Sequence, residues 1–133
     1  MEYQEHRFRA QDDQELYYRD YGAVTAAATP VLCLPGLTRN SIDFHELALH
    51  LCTDRRVICP DLRGRGKSAY DTNLANYAPP ALLSDIGHLL NVTGCHQVIV
   101  IGTSLGGLLA MGMGAARPTA LAGVILNDIG PEL

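Results

Sequence analysis

Apolar residues recur along this chain in short bursts, at two different periods. Positions 5–9 and 15–21 alternate between apolar and polar side chains, as half-buried strands do. The polar turn Gln11-Asp12-Asp13-Gln14 between them predicts a hairpin. Val31-Leu32-Cys33-Leu34 and Arg56-Val57-Ile58-Cys59 are continuous apolar runs, the pattern of strands covered on both faces. Pro35 and Pro60 are expected to stop them. After the first run, Ser41 is placed to cap a helix over 42–53, with Phe44, Leu47, Ala48 and Leu51 on one face. Pro79-Pro80 opens a second helix running to Leu90, carrying Leu82, Leu83, Ile86 and Leu89. A strand over 97–101, a helix over 105–117 ended by Pro118, and a strand over 122–126 complete the pattern.

After the hairpin, strands and helices alternate strictly. That order predicts an α/β fold: parallel strands joined by right-handed crossovers, with helices on both faces of the sheet. The 133 residues suit one domain, and neither an internal repeat nor a low-complexity segment interrupts it.

Composition narrows the function. Hydrophobic residues make up 47% of the chain and charged ones 18%, a balance that favours a packed core over disorder. The net charge is −4 and there is no basic run, so nucleic acid and anionic membranes are not expected partners. The first residues are polar and of mixed charge, unlike a signal peptide, and no apolar run is long enough for a membrane span. The cysteines Cys33, Cys52, Cys59 and Cys95 form no C-x-x-C pair and read as buried thiols. These features together favour a cytoplasmic protein.

The chemistry centres on Gly102-Thr103-Ser104-Leu105-Gly106. A G-x-S-x-G pentapeptide between a strand and a helix is the context of a nucleophile elbow. The sharp turn lifts the serine hydroxyl to the sheet edge, and the two glycines leave room for strand and helix to cross. Free N–H groups at the helix start, the Leu105 N–H first among them, are placed to hold a negative tetrahedral intermediate. Leu34-Pro35-Gly36-Leu37-Thr38 follows the first buried parallel strand, at the same edge. The Leu37 N–H is the expected second oxyanion donor. Gly66-Lys67-Ser68 does not complete a phosphate-binding loop, because the position five residues before Gly66 is Asp61. Asp61 and Arg63 are expected instead to hold the glycine-rich loop 61–68 by side-chain to backbone bonds.

Those three segments, in that order and spacing, resemble the N-terminal half of the α/β-hydrolase fold family, through its sixth strand. Pro35-Gly36 stands where many members have His-Gly, which keeps the backbone donor and removes one side chain. Leu126-Asn127-Asp128-Ile129-Gly130-Pro131 resembles bacterial members that cleave esters and lactones. The resemblance implies a serine hydrolase with a Ser–His–acid triad, a small ester or lactone as substrate, and no cofactor or metal. Asp128 is either the triad acid or an anchor for the lid, in which case the acid follows strand seven. Two other readings are a non-catalytic binding protein on the same fold and a carbon–carbon bond hydrolase.

Family members run to about twice this length, and their histidine normally follows an eighth strand. His6, His45, His50, His88 and His96 all fall on elements where a base for Ser104 is not expected. By the same resemblance, the helical lid is expected to lie outside these residues. The resemblance therefore implies an α/β-hydrolase sheet incomplete without its C-terminal half, which would be a partner, possibly as a second chain. The segment 1–133 alone is expected to be inactive. Its last strand is expected to form an apolar, uncharged open edge.

Overall fold

The computed structural model describes residues 3–36, 40–69 and 77–127. Six strands form one mixed sheet in the order β1-β2-β4-β3-β5-β6. β1 (Tyr3–Arg9) and β2 (Glu15–Tyr21) make the expected hairpin, with Leu16 opposite Phe8. β2 also pairs antiparallel with β4 (Val57–Asp61), which joins the hairpin to the parallel part. β3 (Val31–Leu34) lies between β4 and β5 (Val98–Thr103), parallel to both. β6 (Leu121–Asn127) pairs with β5 alone and forms the sheet edge.

Alternation along the central strands sorts the core into two layers. Leu32, Leu34, Ile58, Val98 and Val100 pack with Leu82, Ile86 and Leu89 of α2 (Pro79–Thr93) and with Leu109 and Met113 of α3 (Leu105–Ala116). Val31, Cys33, Val57, Cys59 and Ile101 pack on the other face, against Phe44 and Ala48. Burying each of these aliphatic side chains fully contributes about 1.5–3 kcal/mol.

Five expectations are corrected. Pro60 does not stop β4, which continues to Asp61 opposite Tyr17. β3 pairs only with Val57 and Ile58, so Pro60 lies beyond the parallel ladder, where a missing N–H costs little. The helix expected over 42–53 is divided: Ser41–Phe44 is a 3-10 turn, and α1 spans only His45–Leu51. Its cap is not Ser41 but Asn40, whose side chain accepts the Ile42 N–H at 2.9 Å. The second helix runs past Leu90 to Thr93 and ends where Gly94 takes a left-handed conformation, φ 72°. Cys52 is half-buried, while Cys33, Cys59 and Cys95 are buried.

Polar groups tie the hairpin to the rest. Asp20 and Arg56, both nearly enclosed, form a bidentate pair at 3.0 and 2.8 Å. Arg63 reaches two carboxylates: Asp85 on α2, at 2.7 and 2.6 Å, and Asp12 in the hairpin turn, at 2.7 and 3.1 Å. Arg63 was expected to bond backbone; these bonds to side-chain carboxylates are the ones described for it. Asp61 does bond backbone as expected, accepting the Lys67 N–H at 2.9 Å.

Candidate active site

β5 ends at Thr103, α3 begins at Leu105, and the whole reversal falls on Ser104. Its backbone sits at φ 53° and ψ −112°. For a residue with a β-carbon this is a strained conformation, costing on the order of 1–3 kcal/mol, held only where the surroundings impose it. The surroundings here are two glycines. A β-carbon on Gly102 would come within 2.6 Å of the Gly106 carbonyl oxygen. One on Gly106 would overlap the carbonyl oxygen of Leu34, the last residue of β3. Strand, turn and helix therefore pack backbone on backbone, and Ser104 is left half-buried at the sheet edge.

The helix start faces the same way. The Ser104 carbonyl accepts from the N–H groups of Gly107 at 2.9 Å and Leu108 at 3.2 Å. The Leu105 and Gly106 N–H groups precede that ladder and keep the positive end of the helix. Ser104 and the Leu105 N–H are thus brought together. Leu37 and Asp128, the other two expected site residues, lie outside the described residues. Their described neighbours Gly36 and Asn127 line a cleft of about 280 Å³ with Pro35, Asp43, Phe44, Leu47, Ile101 and Thr103. Asn127 is the register partner of Thr103, and Leu34 that of Gly102. The ends of β3, β5 and β6 therefore converge beside Ser104.

Among the described residues no histidine is hydrogen bonded to Ser104. His45 shares a 2.7 Å hydrogen bond with Tyr21 Oη, and His6 meets Gln4 at 3.2 Å. His96 lines a separate cleft with Arg117 and Thr119, beside the start of β5 and so at the opposite sheet edge from Ser104. A larger cavity of about 420 Å³ surrounds Arg63, Asp12 and Asp85. Its lining shares no residue with β3, β5 or β6, and both its carboxylates are engaged by Arg63, so the smaller cleft is the relevant one. Cys59 offers no reactive thiol: its hydrogen bond with Cys33, and then burial, push its pKa well up. The described residues contain no cluster of three or more His, Cys, Asp or Glu that could hold a metal, and no helix long and apolar enough to cross a membrane.

One feature of the site lies beyond local sequence reading. Asp61 Oδ1 accepts the buried Ser41 N–H at 2.7 Å, so the loop after β3 is fastened to the end of β4. The partners stand 20 residues apart, and no motif marks the pairing.

A sheet of this order with a strained serine turn after its third parallel strand defines an α/β hydrolase-type domain. The chain belongs to the alpha/beta hydrolase fold family, whose sequence pattern matches residues 29–133. A crystal structure of an alpha/beta hydrolase from Novosphingobium aromaticivorans is similar, with 46% identity and a TM-score of 0.91 over 98% of this chain and 46% of that one. The 3-hydroxybutyrate-oligomer hydrolase of Cupriavidus necator is 39% identical over 103 residues, 77% of this chain and 35% of that protein. Lipase LipV of Mycobacterium tuberculosis is 35% identical over 114 residues, 86% of this chain and 41% of that protein. The chain thus spans well under half the length of these curated relatives.

Proposed function

We propose that this chain is the N-terminal portion of a serine hydrolase that cleaves a carboxylic ester or lactone. The observation that carries the reading is the backbone of Ser104, strained at the junction of β5 and α3 with the Leu105 N–H at the helix start. Relatives named as a 3-hydroxybutyrate-oligomer hydrolase and a lipase point to the same chemistry.

Ser104 Oγ attacks the substrate carbonyl carbon while a histidine takes its proton. The Leu105 and Leu37 N–H groups hold the oxyanion. As the tetrahedral intermediate collapses, the histidine protonates the leaving alcohol and an acyl-enzyme remains. Water, losing a proton to the same histidine, releases the acid and restores Ser104. The histidine comes from the C-terminal half of the protein, in the same polypeptide or as a second chain. The triad acid is Asp128 or a residue of that half. Two features support such a partner: the open apolar edge at β6, and the share of its relatives that the chain spans. Four unpaired cysteines favour the cytoplasm.

A fluorophosphonate probe tests the reading. The full-length protein should be labelled at Ser104, and Ser104→Ala should abolish labelling. Residues 1–133 alone should react slowly or not at all, having no base for Ser104. A full-length protein that resists the probe is a binding protein on this fold. Rapid labelling of 1–133 alone would assign the base to one of its own histidines.

A further inference from the structure

Where the C-terminal ends of α2 and α3 meet, a cleft of about 330 Å³ is lined by Asn91, His96, Arg117 and Thr119. All four side chains carry hydrogen-bond donors, and none of the four bonds or pairs with a partner among the described residues. The nearby carbonyls are already taken. Leu90 and Asn91 accept the Cys95 and Gly94 N–H groups at 3.0 and 3.2 Å, Thr93 accepts Arg56 Nη1 at 2.6 Å, and Met113 accepts the Arg117 N–H at 2.7 Å. No acid is at hand either. Between Asp85 and Asp128 the sequence contains no Asp or Glu, and every residue lining the cleft falls in that stretch. In a chain of net charge −4, this is a local excess of positive charge. The guanidinium is also seated. A β-carbon on Gly87, in the middle of α2, would meet Arg117 Nη2 at 3.0 Å, Cζ at 3.1 Å and Nη1 at 3.2 Å, its three nearest neighbours. Glycine inside a helix weakens it relative to alanine; here it makes room for the charged head.

We propose that this cleft binds a phosphate group, held by the forked N–H donors of Arg117 with further bonds from His96, Asn91 and Thr119. A guanidinium matches phosphate oxygens two at a time, and such charge-assisted bonds are the strong kind. The imidazole of His96 keeps an N–H to donate in either protonation state. A phosphate offers more acceptor oxygens than a carboxylate to donors that arrive from two helix ends. The cleft lies at the opposite sheet edge from Ser104, so the proposal does not rest on the reading of that residue as a nucleophile.

The test titrates full-length protein with inorganic phosphate at fixed pH and constant ionic strength, which removes general screening. The readout is the imidazole Cε1–H resonance of His96, assigned with His96→Gln. It should shift saturably, with half-saturation on the order of millimolar, and acetate should bind several-fold more weakly. Methyl phosphate, titrated in parallel, separates a monoester ligand, which binds more tightly, from the free ion. Arg117→Gln should weaken phosphate binding by roughly tenfold or more. Gly87→Ala, whose methyl group displaces the guanidinium, should weaken it as well while raising Tm, so the loss is not a loss of fold. Arg9→Gln removes the same charge from the end of β1, where Arg9 pairs with Asp13, and should leave phosphate affinity unchanged. A resonance that does not saturate, wild-type affinity in Arg117→Gln or Gly87→Ala, or acetate bound as tightly as phosphate would each overturn the proposal.

Discussion

Adding one methyl group at Gly106 tests the geometry of the serine turn more directly than removing Ser104 does. Gly106 is the second residue of α3. An alanine β-carbon there would overlap the Leu34 carbonyl oxygen and lie 2.6 Å from the carbonyl carbon and 2.9 Å from the Leu34 β-carbon. Relief requires α3 to withdraw from β3 by about 1 Å, an overpacking that typically costs about 1–3 kcal/mol. Against this, alanine is the better helix former by about 1 kcal/mol. The net is a loss of up to about 2 kcal/mol, with the larger penalty in the chemistry: a 1 Å displacement of reacting groups can cost about 100-fold in rate. Gly114, in the same helix, is the internal control. A β-carbon there meets only Leu121 Cδ1, at 3.4 Å, so Gly114→Ala should keep the helix gain and raise stability by up to about 1 kcal/mol. Urea unfolding of both full-length variants and the rate of fluorophosphonate labelling give the comparison. If Gly106→Ala proves as stable and as rapidly labelled as Gly114→Ala, the close approach of α3 to β3 is not what shapes the site.

Two further outcomes follow from the polar clamp and the open edge. Arg63→Ala leaves the buried Asp85 carboxylate without its guanidinium and should destabilise by about 3–5 kcal/mol near neutral pH, measured by urea unfolding. Burial already raises the Asp85 pKa against the pull of Arg63. Its stabilising contribution is present below the ordinary aspartate range and is lost as pH rises through the folded pKa. The hydrogen bonds from Arg63 hold the Asp12 carboxyl low, so its contribution is present above that range and is lost as pH falls through its folded pKa. Removing Arg63 raises Asp85 further and releases Asp12. The deficit should therefore shrink toward acid pH, and a deficit independent of pH would refute the assignment. In β6, where Val124, Ile125 and Leu126 are 40–55% exposed, Ile125→Lys should make residues 1–133 more soluble. The same change should lower the Tm of the full-length protein, where we propose that the edge is covered; an unchanged Tm would mean that β6 is a free edge there too.

Most of the sheet was legible because its signal is periodic and local. Val31–Leu34 and Val98–Ile101 are uninterrupted apolar runs, and they became the strands that support Ser104. The hairpin was legible from alternation and a polar turn. Features decided by distant partners were not legible. Nothing near Arg63 indicates that its guanidinium spans Asp12 and Asp85, 51 and 22 residues away. Nothing near Asp20 indicates that a charged residue will be buried within β2, since its justification is Arg56. The helix after β3 was misread because its apolar spacing is continuous from Phe44 to Leu51. What divides it is Asn40 capping a tight 3-10 turn while Asp61 fixes Ser41, and hydrophobic periodicity carries no trace of either contact.

The two sides of the serine turn are supported unequally, and the strand order gives the reason. On one side β5 leans on β3, which β4 backs in turn, and the Leu34 carbonyl meets Gly106 directly. That side closes within the described residues, and Asp61 extends it to Ser41. On the other side β5 leans on β6, which has no second neighbour among the described residues, and its apolar residues Val124, Ile125 and Leu126 face water. Ser104 and the Leu105 N–H, which we propose as nucleophile and oxyanion donor, are thus built into the closed side. The candidate acid Asp128 follows Asn127 at the end of the open side. Local opening begins where strands are unpaired and apolar contacts are few, so hydrogen exchange in 1–133 alone should be fast along β6 and slow along β3 and β5. Binding of a C-terminal half should protect β6 first. Protection that instead grows uniformly over all six strands would mean that the serine turn is assembled only when the domain is complete.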